Sequence, residues 1–167
     1  HATKRWILYI LEGVAILLAI GGLFFVSTVK PETRIAESID NSGVETNEAG
    51  WQDFTPEGLE AILAGNGAVF VNMTADWCIT CKVNERIALE TDTVREAFVE
   101  NNVTKIKGDW TNRDPAITDF LASFDRNGVP LYVYYAPRHE ETGDRPEPKI
   151  LPQILTPNGV KDILSED

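Results

Sequence analysis

The sequence predicts an α/β domain, with a central mixed sheet flanked by helices, preceded by one membrane-spanning helix. Three observations carry this. Trp6 to Val29 (WILYILEGVAILLAIGGLFFVSTV) is an apolar run broken only by Glu12. From Trp51 onward, short apolar runs alternate with helical periodicities, the pattern of strands joined by helices. Late in the chain, two β-forming stretches separated by a polar loop suggest an antiparallel return. The composition agrees with a folded chain, since 43% of its 167 residues are hydrophobic.

The charge is divided along the chain. Residues 1–30 carry only Lys4, Arg5, Glu12 and Lys30 as charged side chains. The other 137 hold 12 basic and 25 acidic groups, a net of −13. Such an acidic surface argues against nucleic acid as a partner, because phosphates are bound by cations. Two cysteines are too few for a disulfide scaffold, and with two histidines they make a poor zinc site.

As a helix the first run is roughly 36 Å long, enough to cross a hydrocarbon core. Trp6 and Tyr9 suit the interface at one end, and Gly21-Gly22 would let another helix approach closely. A cleaved signal peptide is the rival reading, but the run exceeds 7–15 residues and no A-x-A site follows it. Lys4-Arg5 favour a cytoplasmic N-terminal side, a bias that Lys30 and Arg34 blunt. Glu12 either snorkels to the interface or meets a polar partner in another helix. Residues 31–50 are polar, contain Pro31 and Asn41-Ser42-Gly43, and read as a flexible tether.

The domain is then expected over residues 51–167. Thr55-Pro56-Glu57 opens a helix with Leu59, Ile62 and Leu63 on its apolar face, ended by Gly65-Asn66-Gly67. Ala68–Thr74 is apolar on both faces, as a central strand should be. A helix follows the cysteine motif to about Leu89. Another carries Val94, Ala97 and Phe98, with Thr93 and Glu96 as its expected capping box. Val103–Asp109 reads as a strand. Asp114-Pro115 opens a helix with Ile117, Phe120, Leu121 and Phe124 at i, i+3, i+4 and i+7. Leu131–Tyr135 is a strand, Arg138–Lys149 a polar loop, Lys149–Leu155 the expected return strand, and Asn158–Leu164 a final helix.

The chemistry concentrates at Cys78 and Cys81. A C-x-x-C between a hydrophobic strand and a helix start places the first sulfur where free N–H groups and the positive end of the helix dipole stabilise a thiolate. Cys78 is then the nucleophile. Cys81, one turn deeper, resolves a mixed disulfide. Trp77 walls the site. A zinc half-site would need two further ligands, and His139 is remote in sequence. No cofactor beyond the cysteine pair is expected.

The segment VNMTADWCITCKVNE, Val71 to Glu85, resembles the active-site segment of the thioredoxin superfamily. Ala75-Asp76-Trp77-Cys78 and Cys81-Lys82 are similar to the C-terminal domain of the DsbD family of transmembrane thiol:disulfide interchange proteins. Gly128-Val129-Pro130-Leu131-Tyr132 and Leu151–Pro157 resemble its ScsB-type branch. The resemblance implies a thioredoxin-like fold. It also implies that residues 1–30 are the last helix of a bacterial inner-membrane domain, with the redox domain in the periplasm. That domain would receive electrons from the membrane domain of the same full-length protein. It would pass them to periplasmic thioredoxin-fold or other disulfide-bearing partners. Two other readings stand beside it: a self-contained membrane-anchored thioredoxin-like protein for cytochrome c maturation, and a binding module with a static disulfide.

By the same resemblance, Pro130 is a cis-proline facing the cysteines, and Val129 presents its backbone to a bound substrate strand. Glu85 matches a family carboxylate seven residues after the first cysteine; it tunes thiol pKa values or relays a proton, or else is a solvated surface acid. Asp76 either caps the cysteine helix or has a further role. One position departs from the pattern. Thioredoxins carry a buried acid six residues before the first cysteine, where this chain has Asn72, and an amide cannot accept the proton of Cys81.

Overall fold

The computed structural model describes residues 50–165. The expected membrane helix, 1–30, and the tether up to residue 49 lie outside the described residues. Among the described residues no helix is long and apolar enough to cross a membrane.

Five strands form one mixed sheet: β1 (Trp51–Asp53), β2 (Val69–Thr74), β3 (Thr104–Asp109), β4 (Leu131–Tyr135) and β5 (Lys149–Ile150), in the order β1-β3-β2-β4-β5. β1, β3 and β2 are parallel, while β4 runs antiparallel to both β2 and β5. The run that is apolar on both faces lies in the middle, as read, and every residue of β2 is buried. Alternate residues serve opposite faces. Phe70, Tyr132 and Tyr134 pack with Leu89, Val94, Phe98, Val160 and Leu164 on one side. Val69, Val71, Met73, Ile106 and Val133 pack with Leu59, Ile117 and Leu121 on the other. Gly108 leaves room in this second layer for Met73: an added Cβ there would overlap the Met73 sulfur, and that side chain would have to move.

The helices are α1 (Pro56–Ala64), α2 (Ile79–Asn84), α3 (Asp92–Glu100), α4 (Pro115–Ser123) and α5 (Pro157–Leu164); α2 continues directly into a π-helical turn, Glu85–Leu89. Three helices start identically, with a capping oxygen followed by proline. Thr55 Oγ1 accepts from Gly58 N, Asp114 Oδ1 from Ala116 N and Ile117 N, and Thr156 Oγ1 from Gly159 N.

Four sequence expectations change. β1 carries no signal in the sequence; three residues are too few to show a period. The Thr93–Glu96 capping box is not used, because α3 begins at Asp92 with Thr91 at the cap position, which puts Thr93 inside the helix. The return strand stops at Ile150. Leu151 N makes one more bond to Tyr132 O, and Pro152, lacking an N–H, ends the ladder. The last helix starts at Pro157, one residue early.

Candidate functional site

β2 delivers the chain to the site. Past Thr74 and the buried Ala75, a turn brings Cys78 to the cap position of α2, where its Sγ accepts from Cys81 N at 3.2 Å. Cys78 and Cys81 form a disulfide. Cys78 is 7% exposed and Cys81 0%, so an approaching reagent meets the first sulfur. Ala75, Cys78, Cys81 and Val129 form one small apolar cluster. The Val129–Pro130 peptide bond is cis. The fold thus brings Val129 to the cysteines from the segment that leads into β4, with Pro130 next to it.

Asp76 does not cap α2; Cys78 does. The carboxylate of Asp76 accepts from Lys82 Nζ at 3.0 Å, and this bond, opposed in part by burial, raises the Lys82 ammonium above its ordinary range. Trp77 is 52% exposed. Its Nε1 donates to Thr111 O at 3.1 Å and its ring leans on Trp110. Thr111 also accepts from Asp76 N at 2.8 Å through Oγ1, and its hydroxyl donates to Asp109, holding that carboxyl below the usual range. The turn after β3 is therefore the bracket of the cysteine turn. Sequence reading missed it because Thr111 carries no pattern of its own.

Glu85 is not a solvated surface acid. Its largely buried carboxylate accepts from Lys107 Nζ at 3.0 Å and from Asn72 Nδ2 at 3.3 Å, both at Oε1, with Lys82 Nζ 3.9 Å from Oε2. Asn72 and Lys107 are register partners in parallel β2 and β3, so both point to the α2 side of the sheet. The Glu85 amide in turn bonds to Cys81 O. A carboxylate from the helix is thus held against Asn72. The Asn72 Oδ1 is buried without a hydrogen-bond partner. Asn72, Glu85 and Lys107 line a cavity of about 740 Å³ together with Trp51, Arg95 and Lys105. Burial, aided by Arg95, pushes the Lys105 ammonium down.

Asn84, one residue before, is also buried. Its Nδ2 donates to Tyr132 OH at 3.0 Å and Gln153 O at 2.7 Å, and its Oδ1 accepts from Leu155 N at 3.1 Å. This ties the cysteine helix to the strand after Pro130 and to the segment after β5. Burial raises the Tyr132 phenol to about 12. Among the described residues no group of three His, Cys, Asp or Glu side chains is placed to hold a metal.

A cysteine capping a helix, bonded to a buried cysteine one turn on, beneath a cis-proline loop, is a dithiol–disulfide couple in a mixed α/β domain. The chain belongs to the thioredoxin-like family, which residues 50–137 match. Over 121 residues it is 31% identical to the thiol:disulfide interchange protein DsbD 1 of Pseudomonas aeruginosa, which covers 70% of this chain. This chain spans about 20% of the length of that relative. Among solved structures, the reduced C-terminal domain of Neisseria meningitidis DsbD superposes with a TM-score of 0.50 at 20% identity, covering 67% of this chain and 96% of that one. A thioredoxin from Thermus thermophilus gives 0.52 at 16% identity, covering 69% and 85%. At these identities the two structures speak to the fold.

Proposed function

We propose that this chain is the electron-delivering part of a membrane-tethered protein-disulfide reductase. The observation that carries the reading is the Cys78–Cys81 disulfide, with Cys78 capping α2 and Cys81 buried behind it. In the reduced form, the Cys78 thiolate attacks a partner disulfide, forms a mixed disulfide and releases one partner thiolate. Cys81, once deprotonated, attacks Cys78 Sγ, closes the internal disulfide and expels the second partner thiolate. Two electrons leave the domain, and two protons end on the partner. Val129, ahead of the cis-proline Pro130, offers its backbone to the partner strand, and Trp77 borders the entry. Glu85, backed by Lys107 and open to a cavity, is the group that exchanges the Cys81 proton, the work Asn72 cannot do.

The 31% identity to a thiol:disulfide interchange protein supports carrying the wider role across. Residues 1–30 are then the last helix of a membrane domain in the bacterial inner membrane. The folded part works in the periplasm, and a dithiol in the membrane domain re-reduces Cys78–Cys81. The apolar run Trp6–Val29 and the polar residues 31–50 suit an anchor and a tether.

Trapping tests the exchange. Cys81→Ser leaves Cys78 able to attack but removes the resolving thiol. Incubated with an oxidised extract, the variant should accumulate adducts that dithiothreitol dissolves and that Cys78→Ser/Cys81→Ser lacks. Absence of such adducts, with a wild-type couple that no glutathione buffer reduces, would establish a static disulfide instead.

A further inference from the structure

The helix that carries Cys78 has an exposed apolar stripe that the exchange chemistry does not use. Ile79 is 81% exposed, Val83 46% and Ile87 50%. In a regular α-helix a residue eight places on is turned about 80° off the line of the first. Here α2 gives way at Glu85 to the wider π turn, closed by Glu90 N on Glu85 O at 2.8 Å. The wider turn rotates less per residue, so positions i, i+4 and i+8 stay aligned. The same register turns Asn84, Ala88 and Leu89 into the core. The stripe begins beside Cys78 and runs about 12 Å along the helix.

Its flank carries two cations, Lys82 and Arg86, followed by the exposed Glu90, in a chain whose net charge is −11. Lys82 and Arg86 lie one residue before Val83 and Ile87. Lys82 is engaged by Asp76, whereas Arg86 has no ion-pair partner among the described residues. Any protein joined to Cys78 by a mixed disulfide must cover this ground. A standard interface of about 800 Å² per partner has a radius of roughly 16 Å, more than the length of the stripe.

We propose that Ile79, Val83 and Ile87 form a docking ridge for the disulfide-bearing partner, and that the partner's facing surface is apolar with a carboxylate seated on Arg86. The ridge rests on the exchange reading above and names the chemistry of its partner. It sets which disulfides Cys78 meets, while the cysteine pair sets what happens to them.

The test uses two synthetic twelve-residue peptides, each with one cysteine held as a mixed disulfide with thionitrobenzoate. Both carry valine and leucine after the cysteine; one is flanked by glutamates, the other by lysines. With protein first reduced by dithiothreitol and then freed of it, the Cys78 thiolate attacks the peptide sulfur and releases coloured thionitrobenzoate, and Cys81 then frees the peptide thiol as the internal disulfide closes. Each rate is divided by the same protein's rate with hydroxyethyl disulfide, which reports the cysteine pair and its fold. For Val83→Gln/Ile87→Gln, substitutions that a helix surface tolerates, the ratio for the glutamate peptide should fall roughly fivefold or more. Arg86→Glu should reverse the preference between the two peptides, and added salt should erase it. Ratios that the double substitution leaves unchanged, or a preference that Arg86→Glu does not move, overturn the ridge. A wild type that fails to reduce hydroxyethyl disulfide overturns the exchange reading itself, and the ridge with it.

Discussion

At its C-terminal end β2 runs through Thr74 and Ala75 into the cysteine turn. At its N-terminal end the chain arrives from Gly65–Gly67, beside the residues that follow β4. Both ends gather cations, and they use them differently. At the N-terminal end Arg145 donates to the carbonyls of Leu63, Gly65, Gly67 and Ala136, and Arg138 to those of Leu63, Gly65 and Gly143. These are largely carbonyls left over where α1 ends, the negative end of its dipole. Burial, with Arg138 close by, pushes the Arg145 guanidinium down. At the cysteine end, Lys82 and Lys107 face carboxylates instead, next to a sulfur pair and exposed Trp77 and Ile79. Cations bonded to main-chain carbonyls lock a loop and have no proton acceptor to influence. Cations bonded to carboxylates tie the turn and helix that carry the cysteines to each other and to the sheet. The first end contributes stability, the second chemistry.

The sharpest way to break this division is Cys78→Ser. Disulfide exchange should fall by about 10³-fold or more in a turnover assay, with unfolding shifted far less. The converse variant, Arg145→Ala, should cost about 3 kcal/mol in urea unfolding, because four carbonyls lose a charged donor. Exchange per folded molecule should hold. Arg145→Lys should not restore the stability, since one ammonium cannot reach carbonyls spread over two segments.

Between the two ends sits Tyr132, whose neutral phenol the fold favours. With its folded value at about 12 against an ordinary 10.0, its contribution is complete below pH 10 and lost as pH rises to 12. Unfolding measured across that window should show a loss of up to about 2–3 kcal/mol. Tyr132→Phe should flatten the window while costing the Asn84 bond at neutral pH. The smallest effect is expected at Glu85→Gln. Removing a negative charge near the thiols should lower the midpoint of pH-dependent Cys78 alkylation, by an amount that Lys107 limits. An unchanged curve would take Glu85 out of the proton traffic.

Much of this was readable in one dimension. The helix starts at Thr55-Pro56 and Asp114-Pro115 announce themselves because a cap bonds only two or three residues ahead. β2 was legible as central because burial on two faces leaves no room for polar alternation, Asn72 and Thr74 apart. Cys78 and Cys81 were legible because their relation is one helical turn. The bracket at Thr111, the anchoring of Asn84 and the arginine lock were not, because each joins a side chain to a remote main-chain group of no particular sequence. The Arg138–Lys149 stretch looks like any polar loop. Even the capping box at Thr93 and Glu96 failed for a local reason: the helix begins before it.

The inventory of parts was legible along the chain. It held two cysteines one helical turn apart at a helix start, a Val-Pro before a later strand, and an amide where an acid is the rule. What that amide meets is settled by the fold. The parallel register of β2 and β3 sets Asn72 beside Lys107, and the packing of α2 on the same face lowers Glu85 onto both. A hydrogen bond or ion pair exists only within a few ångströms, and chain spacing says nothing about such distances until the sheet has fixed the register.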